Sequence, residues 1–417
     1  MLPHINRREF LASAAGFLAA GSAAAARAPK KIAAAVTVYH HNSHADVIVG
    51  RLLEGYNLNG RGDRPNLELV SLYVEQLPKG DLSRGLARKH GFTLAPTIAD
   101  ALTLGGKDLA VDGVILVGEH GQYKVNAKGQ TLYPRRRFFE ETVKVIRRSH
   151  RVVPVFSDKH LSAAWSDAKW MHDTARELRI PLMAGSSIPL TWRKPPLDTP
   201  AGGSISDLTA ISYHTLDAYG FHALEMVQCL AERRRGGETG VAAVRCVVGP
   251  EVWRLGTKGG YDRRLLDTAL ARREQKGRFQ GRIEDAAKEP VLFLVEYRDG
   301  LKAAVFTLNN AVGEWAAAWR EKGRAAPRAT LFWTQEQRPF GHFSFLVKGI
   351  ERMMLTGKPT WPVQRTLLTT GLLDALLTSK HNKGERVPTP HLAIAYKPAY
   401  SWKAPPPPPP GRPLNEQ

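Results

Sequence analysis

A chain of 417 residues, 43% hydrophobic and 24% charged, is long enough for two domains and a large core, and its composition is that of a globular protein. Lys and Arg number 59 against 39 Asp and Glu, a net charge of +20, but the basic residues are scattered and carry no RNA-binding signature or zinc-finger spacing, which speaks against nucleic acid as a partner. Two cysteines, Cys229 and Cys246, exclude a disulfide framework and leave either one bridge or two buried thiols.

The chain opens on Arg7-Arg8, then Phe10-Leu11, then a weakly apolar Ala/Gly-rich run over residues 12–26 and a small-x-small pattern at Ala26-Arg27-Ala28. This has the pattern of a twin-arginine export signal over residues 1–28 and predicts a periplasmic or secreted product. The run is too short and too rich in Ala and Gly to anchor in a bilayer, and no other stretch reaches spanning length. Twin-arginine export carries folded proteins, which suits an enzyme that loads a cofactor first.

Residues 32–39 are continuously apolar, as in a strand buried on both faces. The polar loop His40-His41-Asn42-Ser43-His44 leads into a helical pattern over 45–53. Residues 57–66 read as a loop, 67–74 as a strand ending at Glu75, and 83–90 as a helix closed by Gly91. A short helix over 98–102 and a strand over 111–117 follow, with Glu119 and His120 just beyond. A helix over 138–149 precedes Val152-Val153-Pro154-Val155-Phe156-Ser157-Asp158-Lys159-His160. Next come an amphipathic segment (163–178) and a second buried run (180–185). Strands alternating with helices make residues 30–190 a doubly wound, Rossmann-like α/β domain, whose ligands sit at the carboxyl ends of the strands.

Beyond Pro195-Pro196 the pattern changes. Residues 208–234 read as helical or partly helical, 241–253 as β-rich and 263–287 as charged and helical. Residues 290–310 form two antiparallel strands about Arg298-Asp299-Gly300. A strand (329–335), a helix (342–354) and an apolar helix (365–380) complete an α+β domain over 191–398 on an open, mainly antiparallel sheet, one face of which a partner subunit could cover. A Pro-rich tail, 399–417, reads as extended and disordered.

The order of motifs resembles the Gfo/Idh/MocA oxidoreductases, the family of glucose–fructose oxidoreductase and the inositol dehydrogenases. The likeness runs over residues 30–391 and is strongest in Leu86-Ala87-Arg88-Lys89-His90-Gly91, in 111–120 and in 157–185. The family's acid-Lys-Pro motif corresponds to Asp158-Lys159-His160, with the lysine kept and the proline lost. The stretch Gly220-Phe221-His222-Ala223-Leu224-Glu225 resembles the surroundings of the family's acid/base histidine. The aspartate usual four residues earlier is replaced by Ala218, with Asp217 one position off. The resemblance implies a carbohydrate, sugar or polyol as substrate, NAD or NADP as cofactor, a homo-dimer or tetramer, Lys159 and His222 as catalytic residues, and Tyr39, His41, Asn42, Ser43, Glu75, Glu119, His120 and Asp158 around the cofactor.

The largest departure is in the first loop. The family's G-x-G-x-x-G lets backbone approach a pyrophosphate seated on a helix N-terminus; residues 36–44 here contain no glycine. Three functions therefore stay open. The first is an NAD(P)-dependent oxidoreductase, with His222 taking a hydroxyl proton and Lys159 holding the developing oxygen charge. The second is a non-redox relative binding a carbohydrate or anion in the same cleft. The third is a cofactor-free or metal-assisted lyase or hydrolase. His40, His41, His44 and Asp46 are of metal-ligating types, but no HExxH or CxxC pattern accompanies them, and lining a pocket is the simpler reading.

Overall fold

The computed structural model describes residues 28–275, 279–398 and 400–409. The export-signal reading therefore lies almost wholly outside the described residues. Among those described, no helix is long and apolar enough to cross a membrane.

The first half is a parallel sheet. Its strands are β1 (Lys30–Val36), β2 (Leu67–Val74), β3 (Thr93–Leu94), β4 (Gly113–Val117), β5 (Val155–Asp158) and β6 (Leu182–Gly185), in the spatial order β3-β2-β1-β4-β5-β6. This is the doubly wound order, and it reverses between β1 and β4, where ligands of such sheets lie. Val36 is level with both Val74 and Val117, so three strand ends face one crevice. The alternation in Ile32-Ala33-Ala34-Ala35-Val36 sends Ile32, Ala34 and Val36 to one hydrophobic layer and Ala33 and Ala35 to the other. The small alanines let helices approach both faces, which is why the whole run is apolar.

Helices α1 (His44–Ile48), α2 (Gly50–Glu54) and α3 (Ser83–His90) follow β1 and β2; α4 (Ile98–Thr103), α5 (Arg135–Ser149) and α6 (Trp165–Glu177) follow β3, β4 and β5. The single helix expected over 45–53 is two short ones meeting at Val49. Gly91 closes α3 as expected, at φ +78° with its N–H donated to the Ala87 carbonyl.

The second sheet contains β7 (Trp192–Lys194), β8 (Ile205–Ser212), β9 (Val241–Val248), β10 (Val291–Tyr297), β11 (Lys302–Thr307), β12 (Trp315–Glu321), β13 (Arg328–Trp333) and β14 (Val387–Pro388), in the order β14-β9-β10-β11-β8-β12-β13-β7. All its pairings are antiparallel except β8 with β11. Helices α7 (Ala218–Ala231) and α12 (Val363–His381) cover one face.

Three expectations need correction. Residues 208–212 belong to a central strand, β8, not to a helical span; the partners that fix it, β11 and β12, lie about a hundred residues away. The strand β12 was not foreseen, because Trp315-Ala-Ala-Ala-Trp319 has helix-forming composition. It is a strand because it sits between β8 and β13, with Trp315, Ala317 and Trp319 in one hydrophobic layer and Ala316 and Ala318 in the other. Part of the sheet face opposite α7 and α12 carries α8 (Glu251–Thr257), α9 (Arg263–Leu270) and α10 (Ile283–Ala286) of the same chain, whose Leu265, Leu266 and Ala269 pack on Ile211 and Phe306. The described part of the tail is held rather than loose. The Trp402 indole donates to the Thr191 carbonyl at 2.9 Å, the Trp192 indole donates to the Pro406 carbonyl at 2.7 Å, and Arg193 lies over the Trp402 ring.

Helix α11 (His342–Thr356), late in the chain, returns to the first sheet, where Leu346, Val347, Ile350 and Met353 join the layer of α1 and α2. It locks the two halves together beside the crevice. Cys229 and Cys246 are free thiols, both buried.

Candidate active site

The crevice at the carboxyl ends of β1, β4 and β5 is closed by the start of α7 and the end of β8. The cavity there is about 400 Å³, sized for a small organic ligand. Its floor is Lys159 and His222. Lys159 follows β5 at φ +66°, an uncommon conformation for a non-glycine residue, and its N–H donates to the Gly185 carbonyl at 3.2 Å. The side chain is 2% exposed as a residue and meets His222, one turn into α7, with Nζ to Nε2 at 2.6 Å.

The lysine ammonium can only donate, so His222 Nε2 accepts and its proton sits on Nδ1, which donates to Ser186 Oγ at 2.6 Å. Ser186 Oγ also accepts the Ile188 N–H at 3.0 Å. Burial, together with the neighbouring Lys159 charge, holds His222 well below the usual histidine range, so it is neutral. One further turn along α7, Glu225 accepts hydroxyls from Thr366 and Thr369, and burial raises its pKa.

A second group surrounds Glu119. Its carboxylate lies 2.6 Å from Arg135 and 3.7 Å from Lys159. Burial pushes its pKa up, but Lys159 and Arg135 outweigh burial and hold it well below the carboxylate range. Arg135 also donates to His160 Nε2 at 2.8 Å; burial and that guanidinium keep His160 neutral. Asp217 accepts the Thr131 N–H at 2.9 Å and lies 3.8 Å from His160.

The third group is imidazole-rich. His44 pairs with Asp158 at 2.6 Å. The His120 ring packs against His40 and His44 with centroids 5.5 and 5.3 Å apart, and burial, with His44 beside it, pulls its pKa down to about 4. Among the described residues, no group of three or more His, Cys, Asp or Glu side chains is arranged to hold a metal ion.

Of the residues named from sequence, Asn42, Glu119, His120, Lys159 and His222 line the cavity. Asp158 lies behind it, holding His44. The others sit elsewhere: Tyr39 is in the core, Ser43 caps α1, His41 is largely exposed, and Glu75 is ion-paired with Arg137. Ser186, Arg135, Tyr219 and Trp315 were not foreseen. Ser186 follows β6 and was within reach of the strand-end rule applied at β5. Nothing in Arg135-Arg136-Arg137 distinguishes the buried arginine from its half-exposed neighbours.

The residues present do not fit a dinucleotide in the pose that a glycine-rich loop provides. Asp46, itself buried, fills the anion position at the start of α1: its Oδ2 accepts the Asn42 N–H at 2.9 Å and Arg338 at 2.6 Å. Gln76 clasps Gln122 through two hydrogen bonds, Nε2 to the Gln122 carbonyl at 3.1 Å and Oε1 from its N–H at 2.9 Å. This clasp bridges the loops after β2 and β4. Glu75, at the ribose position, is engaged by Arg137 and by the Tyr123 hydroxyl at 3.3 Å.

Neither family models nor curated proteins match this chain. Among solved structures it is similar to GenD2 from gentamicin A biosynthesis in complex with NAD (12% identity over 86% of this chain and 96% of that one, TM-score 0.55). It is also similar to scyllo-inositol dehydrogenase from Lactobacillus casei (11%, 86% and 98%, TM-score 0.54). A third is an oxidoreductase from Agrobacterium radiobacter in complex with NAD+, L-tartaric acid and magnesium (13%, 86% and 98%, TM-score 0.53). At such identities the likeness is one of fold, and the fold is the two-domain one of the Gfo/Idh/MocA-type sugar and inositol dehydrogenases.

Proposed function

We propose that this chain is an enzyme that moves protons on a small carbohydrate-type substrate, with Lys159 and His222 as the catalytic pair. The observation that carries the reading is the 2.6 Å contact between Lys159 Nζ and a neutral His222 Nε2 at the floor of the cavity. A substrate carbonyl oxygen that takes the lysine's hydrogen bond frees the Nε2 lone pair. His222 then removes the proton from the adjacent carbon, and the bonding electrons move onto the oxygen, where the Lys159 ammonium holds the charge. Delivery of the proton to the former carbonyl carbon, with the α-hydroxyl proton passing to the lysine-bound oxygen, gives the isomer; loss of a β-hydroxyl that takes the His222 proton and leaves as water gives an elimination. The imidazolium beside Lys159 is tolerable only while that oxygen carries negative charge. Ser186 fixes the tautomer, and Tyr219, Trp315 and Phe343 supply the aromatic part of the cavity wall.

The carbohydrate class is supported by the aromatic wall, the cavity's polar lining (Asn42, Ser187, Thr215, Thr334) and the fold likeness to proteins named as inositol dehydrogenases. A second reading, an NAD(P)-dependent oxidoreductase of the same substrates, is favoured by solved relatives in fold that hold NAD. It requires Asp46 and the Gln76–Gln122 clasp to move aside. We further propose an exported, periplasmic protein, from the Arg7-Arg8 pattern.

One experiment separates the two readings. The protein is incubated in deuterium oxide with galacturonate, glucose and myo-inosose, and carbon-bound deuterium is read by NMR with and without NAD+ or NADP+. Exchange without a nucleotide, lost in Lys159→Met and in His222→Gln, supports proton transfer. Turnover that appears only with a nucleotide, together with thermal stabilisation by that nucleotide, overturns it in favour of the second reading.

A further inference from the structure

A second, larger trough of about 960 Å³ adjoins the active-site cavity. The two share Tyr213, His214 and Thr215. His214 and Thr215 are exposed, so the divide is a rim and not a buried partition. Beyond it the trough presents Asn309, Asn310, Lys128 and Lys380, with Glu289 at its edge.

The rim is built at a conformational cost. His214 (φ +71°) and Asn310 (φ +69°) are both non-glycine residues in the left-handed region. Such strain persists where surrounding contacts over-determine it and is concentrated at ligand-binding sites. Asn309 supplies the contacts here: its Oδ1 accepts the His214 N–H at 2.5 Å and its Nδ2 donates to the His214 carbonyl at 3.3 Å. Held in this way, the His214 ring stacks on Tyr219 (centroids 4.4 Å apart, planes at 26°), and Tyr219 stacks on Trp315 (5.5 Å, 18°). An aromatic wall thus runs from the active cavity up to the rim. Sugar rings present apolar faces that lie on such walls and hydroxyls that bond to amides. The exposed Lys380 and the net charge of +20 favour sugars that carry carboxylates. Lys128 is already paired with Asp374 and Asp217 is buried, so the exposed charges of the trough are Lys380 and Glu289, and Lys380 is the one that can meet a sugar carboxylate.

We propose that the substrate is an oligosaccharide of acidic sugars, with one unit over Lys159 and His222 and the next units crossing the His214 rim into the Asn309–Lys380 trough. This rests on the carbohydrate reading of the active site. The cavity over the catalytic pair takes the reacting unit, and the larger trough takes the units that do not react. Their binding supplies orientation at the reacting carbon.

The test uses the full chain and galacturonate as monomer, dimer and tetramer, with affinity measured by calorimetry. The tetramer should bind roughly tenfold or more tightly than the monomer. Asn309→Ala, which releases the rim, and Lys380→Glu, on an exposed position, should each bring that ratio toward one; melting curves confirm that both variants fold. Equal affinities for monomer and tetramer in the wild type overturn the trough while leaving the active-site reading standing. A tetramer preference that survives both substitutions overturns the assignment to this trough. Binding of none of the three overturns the acidic-sugar class in both cavities.

Discussion

Acid should destabilise this protein through His120. The imidazole is packed between His40 and His44 and is pulled from the ordinary 6.5 to about 4. Between those values the unfolded chain binds a proton that the folded chain refuses. Stability therefore falls as pH drops below about 6.5, by about 1.4 kcal/mol per pH unit for one such group, and levels off near pH 4, where the folded state protonates too. Between pH 7 and pH 5 the loss from His120 alone is about 2 kcal/mol. His160 and His222, also held neutral by burial, add loss in the same direction. The perturbation is His120→Asn, since asparagine accepts the φ of +66° found here. It changes the baseline stability by losing ring contacts, so the quantity to compare is the pH dependence. Urea unfolding at pH 7 and pH 5 should show the variant losing about 2 kcal/mol less than the wild type over that interval. Keeping above pH 5 leaves Glu119, whose depressed pKa acts only at lower pH, out of the comparison. Identical losses in the two proteins would refute the packing-imposed shift.

Two further outcomes follow from the supports of the site. A Cβ at Gly185 would lie 2.8 Å from both Glu225 Oε2 and Thr366 Oγ1, at φ +128°, so Gly185→Ala should cost about 2 kcal/mol or more, with a lowered Tm; an unchanged Tm contradicts the close approach. Arg365→Leu strands the buried Glu232 carboxylate and should cost about 3–5 kcal/mol, whereas adding Glu232→Leu should recover most of it, as chemical denaturation can measure.

Elements written in local signals were legible before the fold. Residues 67–74 and 83–90 are found as expected, the first from its β-branched and apolar run and the second from Gly91 at its end. The hairpin about Arg298-Asp299-Gly300 was legible for the same reason: two apolar runs and a turn lie within a few residues of one another. Residues 315–321 and 208–212 were not, because their conformation is imposed by partners distant in sequence. Alanine prefers a helix when alone and accepts a strand when both of its faces are covered. At the site, Lys159 and His222 were legible through a resemblance and the strand-end rule. Arg135 and the Gln76–Gln122 clasp were not, since a run of arginines and two isolated glutamines have no pattern that encodes burial or pairing.

The sequence by itself determined the alternation of strands and helices in the first half, the position of Lys159 at a strand end, and the missing glycines of the first loop. Each of these is a property of a few consecutive residues. Only the tertiary structure decided what the missing glycines mean. It places Asp46 in the anion position, joins the loops after β2 and β4 across the crevice, and brings Lys159 to within 2.6 Å of a histidine 63 positions later in the chain. Those are relations between segments that share no sequence neighbourhood. Packing fixes them, because a buried charge or amide must find its partner wherever the fold supplies one.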